Sequence, residues 1–85
     1  MKVLIPGALR SYTRCGEAEA SGDTLGEVLA ALDVQFAGIR FRIVDEQDCI
    51  RRHIRIFVNG DQAPDLSQRL QADDEVIIVQ ALSGG

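Results

Sequence analysis

The sequence has no tryptophan, one tyrosine and three phenylalanines in 85 residues, so aliphatic side chains must fill its core. Its two cysteines, Cys15 and Cys49, are too few and too far apart for a disulfide framework or a close-spaced ligand pair, and they fit reduced thiols in a cytoplasmic protein. Even joined by His53 they have no zinc spacing, so no metal is expected. His53, the single histidine, has no serine or cysteine at a catalytic spacing and reads as structural or solvent-facing. Long apolar runs are missing: Met1 to Ile5 imitates a secretory leader for a few residues before Pro6-Gly7 ends it, so neither a targeting segment nor a membrane partner is expected. Basic residues are in deficit, nine against thirteen acidic ones for a formal charge of -4, which argues against nucleic acid as a partner.

What is present is the balance of an ordinary folded protein, 46% hydrophobic and 26% charged. Its length suits one small domain, which buries only about 60–65% of its unfolded surface and cannot frame a two-domain cleft or an internal cofactor cradle. Five arginines, Arg40, Arg42, Arg51, Arg52 and Arg55, are bunched together. They read first as a solvated face, with an anchor for an acidic partner as the alternative.

Along the chain, positions 2 to 5 read as a strand and Cys15 to Ala20 as a second, joined through a polar turn at Ser11 to Arg14. Thr24 and Glu27 have capping-box spacing before a helix whose stripe is Leu25, Val28, Leu29, Leu32 and Phe36, with Gly38 as the stop. Residues 39 to 53 read as a loop with one brief extended piece. Ile54 to Val58 is a strand turned by Asn59-Gly60, followed by a brief strand before Pro64 and one helical turn carrying Leu66 and Leu70. Val76 to Val79 is a continuous apolar run, as expected in the middle of a sheet. One main helix across one mixed sheet of four to five strands, an α+β architecture, is the economical arrangement. Residues 1–79 form the domain and 80–85 a flexible C-terminal tail.

The sequence closes on Gly84-Gly85, a pair expected by chance in about 0.5% of chains. Glycine has no Cβ, so two of them can thread a narrow channel and present a bare carboxylate to another protein. A carboxylate is a poor electrophile until one oxygen becomes a leaving group, as in an acyl-adenylate made with ATP. The chain has no phosphate-binding loop, so a separate enzyme would have to supply that step. A disordered end or a processing scar would look the same from the diglycine alone.

Four stretches together resemble the β-grasp fold of ubiquitin-like proteins and, within it, the MoaD/ThiS sulfur-carrier family. They are Ile5-Pro6-Gly7-Ala8-Leu9-Arg10, Gly22-Asp23-Thr24-Leu25-Gly26, Phe57-Val58-Asn59-Gly60, and Asp74 to Ile78 running on to Gly84-Gly85. The resemblance implies that the protein is no enzyme and binds no cofactor itself. Gly85 would be adenylated by a ubiquitin-activating-like enzyme that uses ATP, then converted to a thiocarboxylate that passes sulfur to a downstream sulfur-accepting enzyme. Gly84 would give the narrow approach, and Ala81, Leu82 and Ser83 would line the partner's channel. The helix-start and Val-Asn-Gly stretches look most like carriers serving cysteine synthesis, with thiamine and molybdopterin as other destinations. Gln80 stands where many relatives carry a proline, which leaves partner identity open. Within the same architecture, the small subunit of molybdopterin synthase and a protein modifier or plain binding module are the alternatives. A plant-type ferredoxin fails by count, since its cluster needs four cysteines.

Alternation adds a surface. With Val3, Ile5, Ile56, Val58, Val76 and Ile78 facing the helix, Leu4, Phe57, Ile77 and Val79 face the other way. In a β-grasp sheet those four are neighbours beside the root of the tail, an apolar patch suited to docking the adenylating enzyme. The alternative is that residues 39 to 53 fold over this face and bury it.

Overall fold

Strict alternation in short strands and a single capped amphipathic helix leave one way to bury the apolar residues: the helix lies on one face of the sheet. A computed structural model describes residues 1–80. In chain order the elements are β1 (Lys2–Leu4), a 3-10 turn (Gly7–Leu9), α1 (Arg10–Thr13), β2 (Glu17–Glu19), α2 (Leu25–Gln35), α3 (Ile39–Ile43), β3 (Ile54–Val58), β4 (Asp61–Gln62) and β5 (Glu75–Gln80). The sheet order is β2-β1-β5-β3-β4. β5 pairs in parallel with β1 and antiparallel with β3. The β-grasp reading therefore holds, and the continuous apolar run of Val76 to Val79 does lie in the middle strand.

The sheet's inner face, Val3, Ile5, Ile54, Ile56, Val58, Val76 and Ile78, is buried against Leu25, Val28, Leu29 and Leu32 of α2. Thr24 caps α2 as its spacing predicts, its hydroxyl accepting from the Glu27 amide at 3.3 Å. The reciprocal half of the box is displaced by one residue, because the Glu27 carboxylate accepts from the Asp23 amide at 3.0 Å. Gly22 is required sterically: a Cβ there would stand 2.6 Å from the Glu27 Cβ and 2.9 Å from the Val28 nitrogen.

Three local expectations fail. The polar turn at Ser11 to Arg14 is instead occupied largely by α1, because Leu9 and Thr13, four apart, are both buried and favour a helical turn. Residues 39 to 43 are α3 rather than loop, with Ile39 and Ile43 buried on one side. The acid that caps α3 is Asp33, which lies back in α2 and accepts from the amides of Gly38 at 3.0 Å and Arg40 at 3.1 Å. Leu66 to Leu70 is no helical turn. It runs alongside the start of α2, where the carbonyls of Gln68 and Leu66 accept from the otherwise unpaired amides of Leu25 and Gly26 at 2.9 and 3.0 Å. The Asn59-Gly60 turn is as read, with both residues at positive φ, 51° and 91°.

Leu29→Ala, which leaves a cavity between α2 and the sheet, should cost about 2–5 kcal/mol in denaturant unfolding. Gly22→Ala should also destabilise, since the atoms it meets are backbone and the root of a side chain.

Candidate functional site

The outer face of the sheet follows from register. Leu4 pairs with Ile77 and Ile77 with Phe57, so three large apolar side chains stand in one row across β1, β5 and β3. Glu17 and Gln62 flank that row as the partners of Leu4 and Phe57. Val79 lies two positions further along β5, opposite Arg55. The structure thus brings together the four residues read from alternation, but they are less open than expected: Val79 is 39% exposed, whereas Leu4, Phe57 and Ile77 are half-buried. Side chains directly opposite on adjacent strands stand about 4.5–5.5 Å apart at Cβ, so each covers part of the next.

Residues 39 to 44 do not cover this row. Ile39, Ile43 and Val44 belong to the same buried cluster as α2 and the inner face. Arg51 fastens the segment, donating from Nε to the Phe41 carbonyl at 2.8 Å and stacking its guanidinium 4.7 Å from the centre of the Phe41 ring.

The outer face is graded in charge along β5. At the start of the strand, Asp73, Asp74 and Glu75 meet the turn at Asn59 and Gly60. Asp74 accepts from the Asn59 side-chain amide at 2.8 Å and from the Gln71 backbone amide at 2.8 Å. Those bonds, the Gln71 amide foremost, hold its carboxyl below the usual carboxylate range. Asp45 is lowered likewise by the amides of Cys49 and Gln47, and Asp65 by the Ser67 hydroxyl and amide. At the other end of β5, Arg55 stands beside Val79 on this face, while Arg42 and His53 meet Gln80 on the side where the helices pack.

Gln80 is itself part of β5, paired with Ile54. Ala81, Leu82, Ser83, Gly84 and Gly85, the residues on which the sequence places the chemistry, lie outside the described residues. Among the described residues, no group of three His, Cys, Asp or Glu side chains is placed to hold a metal, and Cys15 and Cys49 are both exposed free thiols. The sequence did not single out the grouping of Tyr12 with Arg42, whose Nε donates to the tyrosine hydroxyl at 2.9 Å. Thirty residues separate the two, so no local spacing signals it.

Comparison with known proteins bears on this arrangement. The ThiS family model matches residues 3–85. The sulfur carrier protein CysO of Mycobacterium tuberculosis is 34% identical over 98% of this chain and 96% of its own. Among solved structures, the Amycolatopsis orientalis BexX/CysO complex contains a chain that superposes with a TM-score of 0.90 at 31% identity, over 99% of this chain and 98% of that one. The small archaeal modifier protein 1 of Methanosarcina acetivorans superposes with a TM-score of 0.83 at 26% identity, over 99% of this chain and 94% of its own.

The lowered Asp74 carboxyl predicts a pH signature. Its folded-state value lies below its unfolded one, so its contribution is present above the unfolded value and lost as pH falls through the folded one. Asp74→Asn should therefore lower the thermal midpoint near neutral pH, with the gap to wild type closing in acid. A gap independent of pH contradicts this role.

Proposed function

Because the chain belongs to the ThiS family, we propose that it is a sulfur carrier of biosynthesis, a protein substrate rather than an enzyme, whose working group is the carboxylate of Gly85. The observation that carries this reading is the extent of the family match, which runs through both terminal glycines. A ubiquitin-activating-like enzyme transfers the adenylyl group of ATP to that carboxylate and releases pyrophosphate. Attack by sulfide on the acyl carbon then displaces AMP and, with loss of the sulfide proton, leaves a thiocarboxylate. The folded body brings no catalytic group to these steps, and a downstream enzyme takes the sulfur, for cysteine synthesis in our reading. These steps use ATP and reduced sulfur, which fits a cytoplasmic protein with two free thiols.

The row of Leu4, Phe57 and Ile77, with Val79, is the surface we assign to recognition by the adenylating enzyme. Ala81, Leu82 and Ser83 occupy its channel, and Gly84 gives the bare approach to the reacting carbon. The small archaeal modifier likeness favours a second reading, in which the same C-terminus forms an isopeptide bond with a target lysine.

Incubation with ATP, magnesium, sulfide and the host's adenylating enzyme, followed by intact mass measurement, should give the mass increase for one oxygen replaced by sulfur. The same protein lacking Gly85 should show none. An unchanged mass for the full chain contradicts the carrier reading, and a lysine-linked adduct replaces it with the modifier. Phe57→Asp should keep the fold, because this side chain lies on the outer face, yet weaken binding to the enzyme on the order of tenfold or more. Unchanged affinity removes the apolar row from the interface.

A further inference from the structure

Beside Gln80 a groove of about 260 Å³ is lined by Ser11, Tyr12, Arg42 and His53. Its elements come from α1, the end of α3 and the residue before β3, so they meet only in the folded chain. Arg42 is exposed, but it is not loose: the Tyr12 hydroxyl accepts from its Nε at 2.9 Å and fixes the plane of the guanidinium. The two terminal amino groups of Arg42 have no hydrogen-bond partner among the described residues, and the Tyr12 hydroxyl keeps its own proton to donate.

Nearby carboxylates do not neutralise this end of the molecule. Asp48 is taken by Arg40 at 2.7 Å, and one carboxylate oxygen of Asp45 accepts from the amides of Gln47 and Cys49 at 2.9 and 3.0 Å. Arg42, Arg52 and Arg55 form no ion pair among the described residues. Asp61, Asp73, Asp74 and Glu75 gather at the opposite end of β5. A chain of formal charge -4 thus presents a cationic rim where β5 gives way to its last five residues.

We propose that this groove receives a carboxylate side chain of the adenylating enzyme, with the Arg42 guanidinium and the Tyr12 hydroxyl as donors, and that it orients the carrier as its C-terminus enters the active site. The proposal rests on the carrier reading. A forked guanidinium already held in plane matches a carboxylate in two hydrogen bonds and gives up little freedom on binding. The occupant is a protein carboxylate rather than a nucleotide phosphate because of position: the adenylated group belongs to Gly85, five residues beyond Gln80. Gln80 itself lines the groove, so the five residues an enzyme would take begin at its edge.

The test is steady-state adenylation of the full chain by the host's adenylating enzyme at several salt concentrations. Arg42→Glu should raise KM for the carrier on the order of tenfold or more, with kcat and KM for ATP unchanged. Wild-type KM should rise with salt, and that of Arg42→Glu should not. Tyr12→Phe should move KM in the same direction by less, since the ring stays and only the hydroxyl is lost. Arg42→Met, which keeps the aliphatic stem, should match Arg42→Glu in direction and retain the wild-type melting curve. Arg69→Glu makes the same charge change at the start of α2, where Arg69 bridges to Thr24, and should stay within about twofold of wild type.

If Arg42→Glu stays within that same range, if Arg69→Glu matches it, or if KM for ATP rises instead, the groove is not a carboxylate site. A wild-type chain that accepts no adenylate overturns the carrier reading itself, and this inference falls with it.

Discussion

The structure depends on β5 being hydrogen-bonded along both edges. On one side it runs parallel to β1, on the other antiparallel to β3, and without it the sheet is two separate hairpins, β1–β2 and β3–β4. Val76 and Ile78, at 0% and 2% exposure, fix its inner face against α2. A strand so held cannot slip by one residue without turning its whole apolar set outward. Gln80, the last described residue, is therefore held at a fixed point by its pairing with Ile54.

Under the proposed function, that constraint lets the chemistry stand outside the fold. The inner face and α2 provide stability. The outer row of Leu4, Ile77 and Phe57 provides a surface, with Glu75 toward one end of β5 and Arg55, opposite Val79, toward the other. The core between the helices and the sheet is small and aliphatic. The free Cys15 and Cys49 are exposed and take no part in it.

The sequence made legible what local spacing controls: the Thr24 cap, the α2 stripe, the Asn59-Gly60 turn and the apolar alternation of β3 and β5. It misread what distant residues decide. Helix α3 has no local start signal, because its capping acid, Asp33, sits in the preceding helix. The spacing of Leu66 and Leu70 suits a helical turn, and it carries no sign that the carbonyls of Leu66 and Gln68 complete the start of α2. The four-residue apolar patch was found from alternation alone, yet the mutual cover of Leu4, Ile77 and Phe57 is a property of register between three strands. The pairing of Tyr12 with Arg42 left no trace in sequence at all. The diglycine, on which the sequence places the chemistry, lies outside the described residues.

The most direct measurement follows a carbon label in the Gly85 carboxyl by NMR while the protein is incubated with ATP, sulfide and its adenylating enzyme. The account predicts that, with the enzyme removed after the reaction, this resonance has converted to that of a thiocarboxylate while the amide signals of β1, β3 and β5 are those of the untreated protein. A resonance that never moves, or one that moves to an amide linked to lysine, contradicts it.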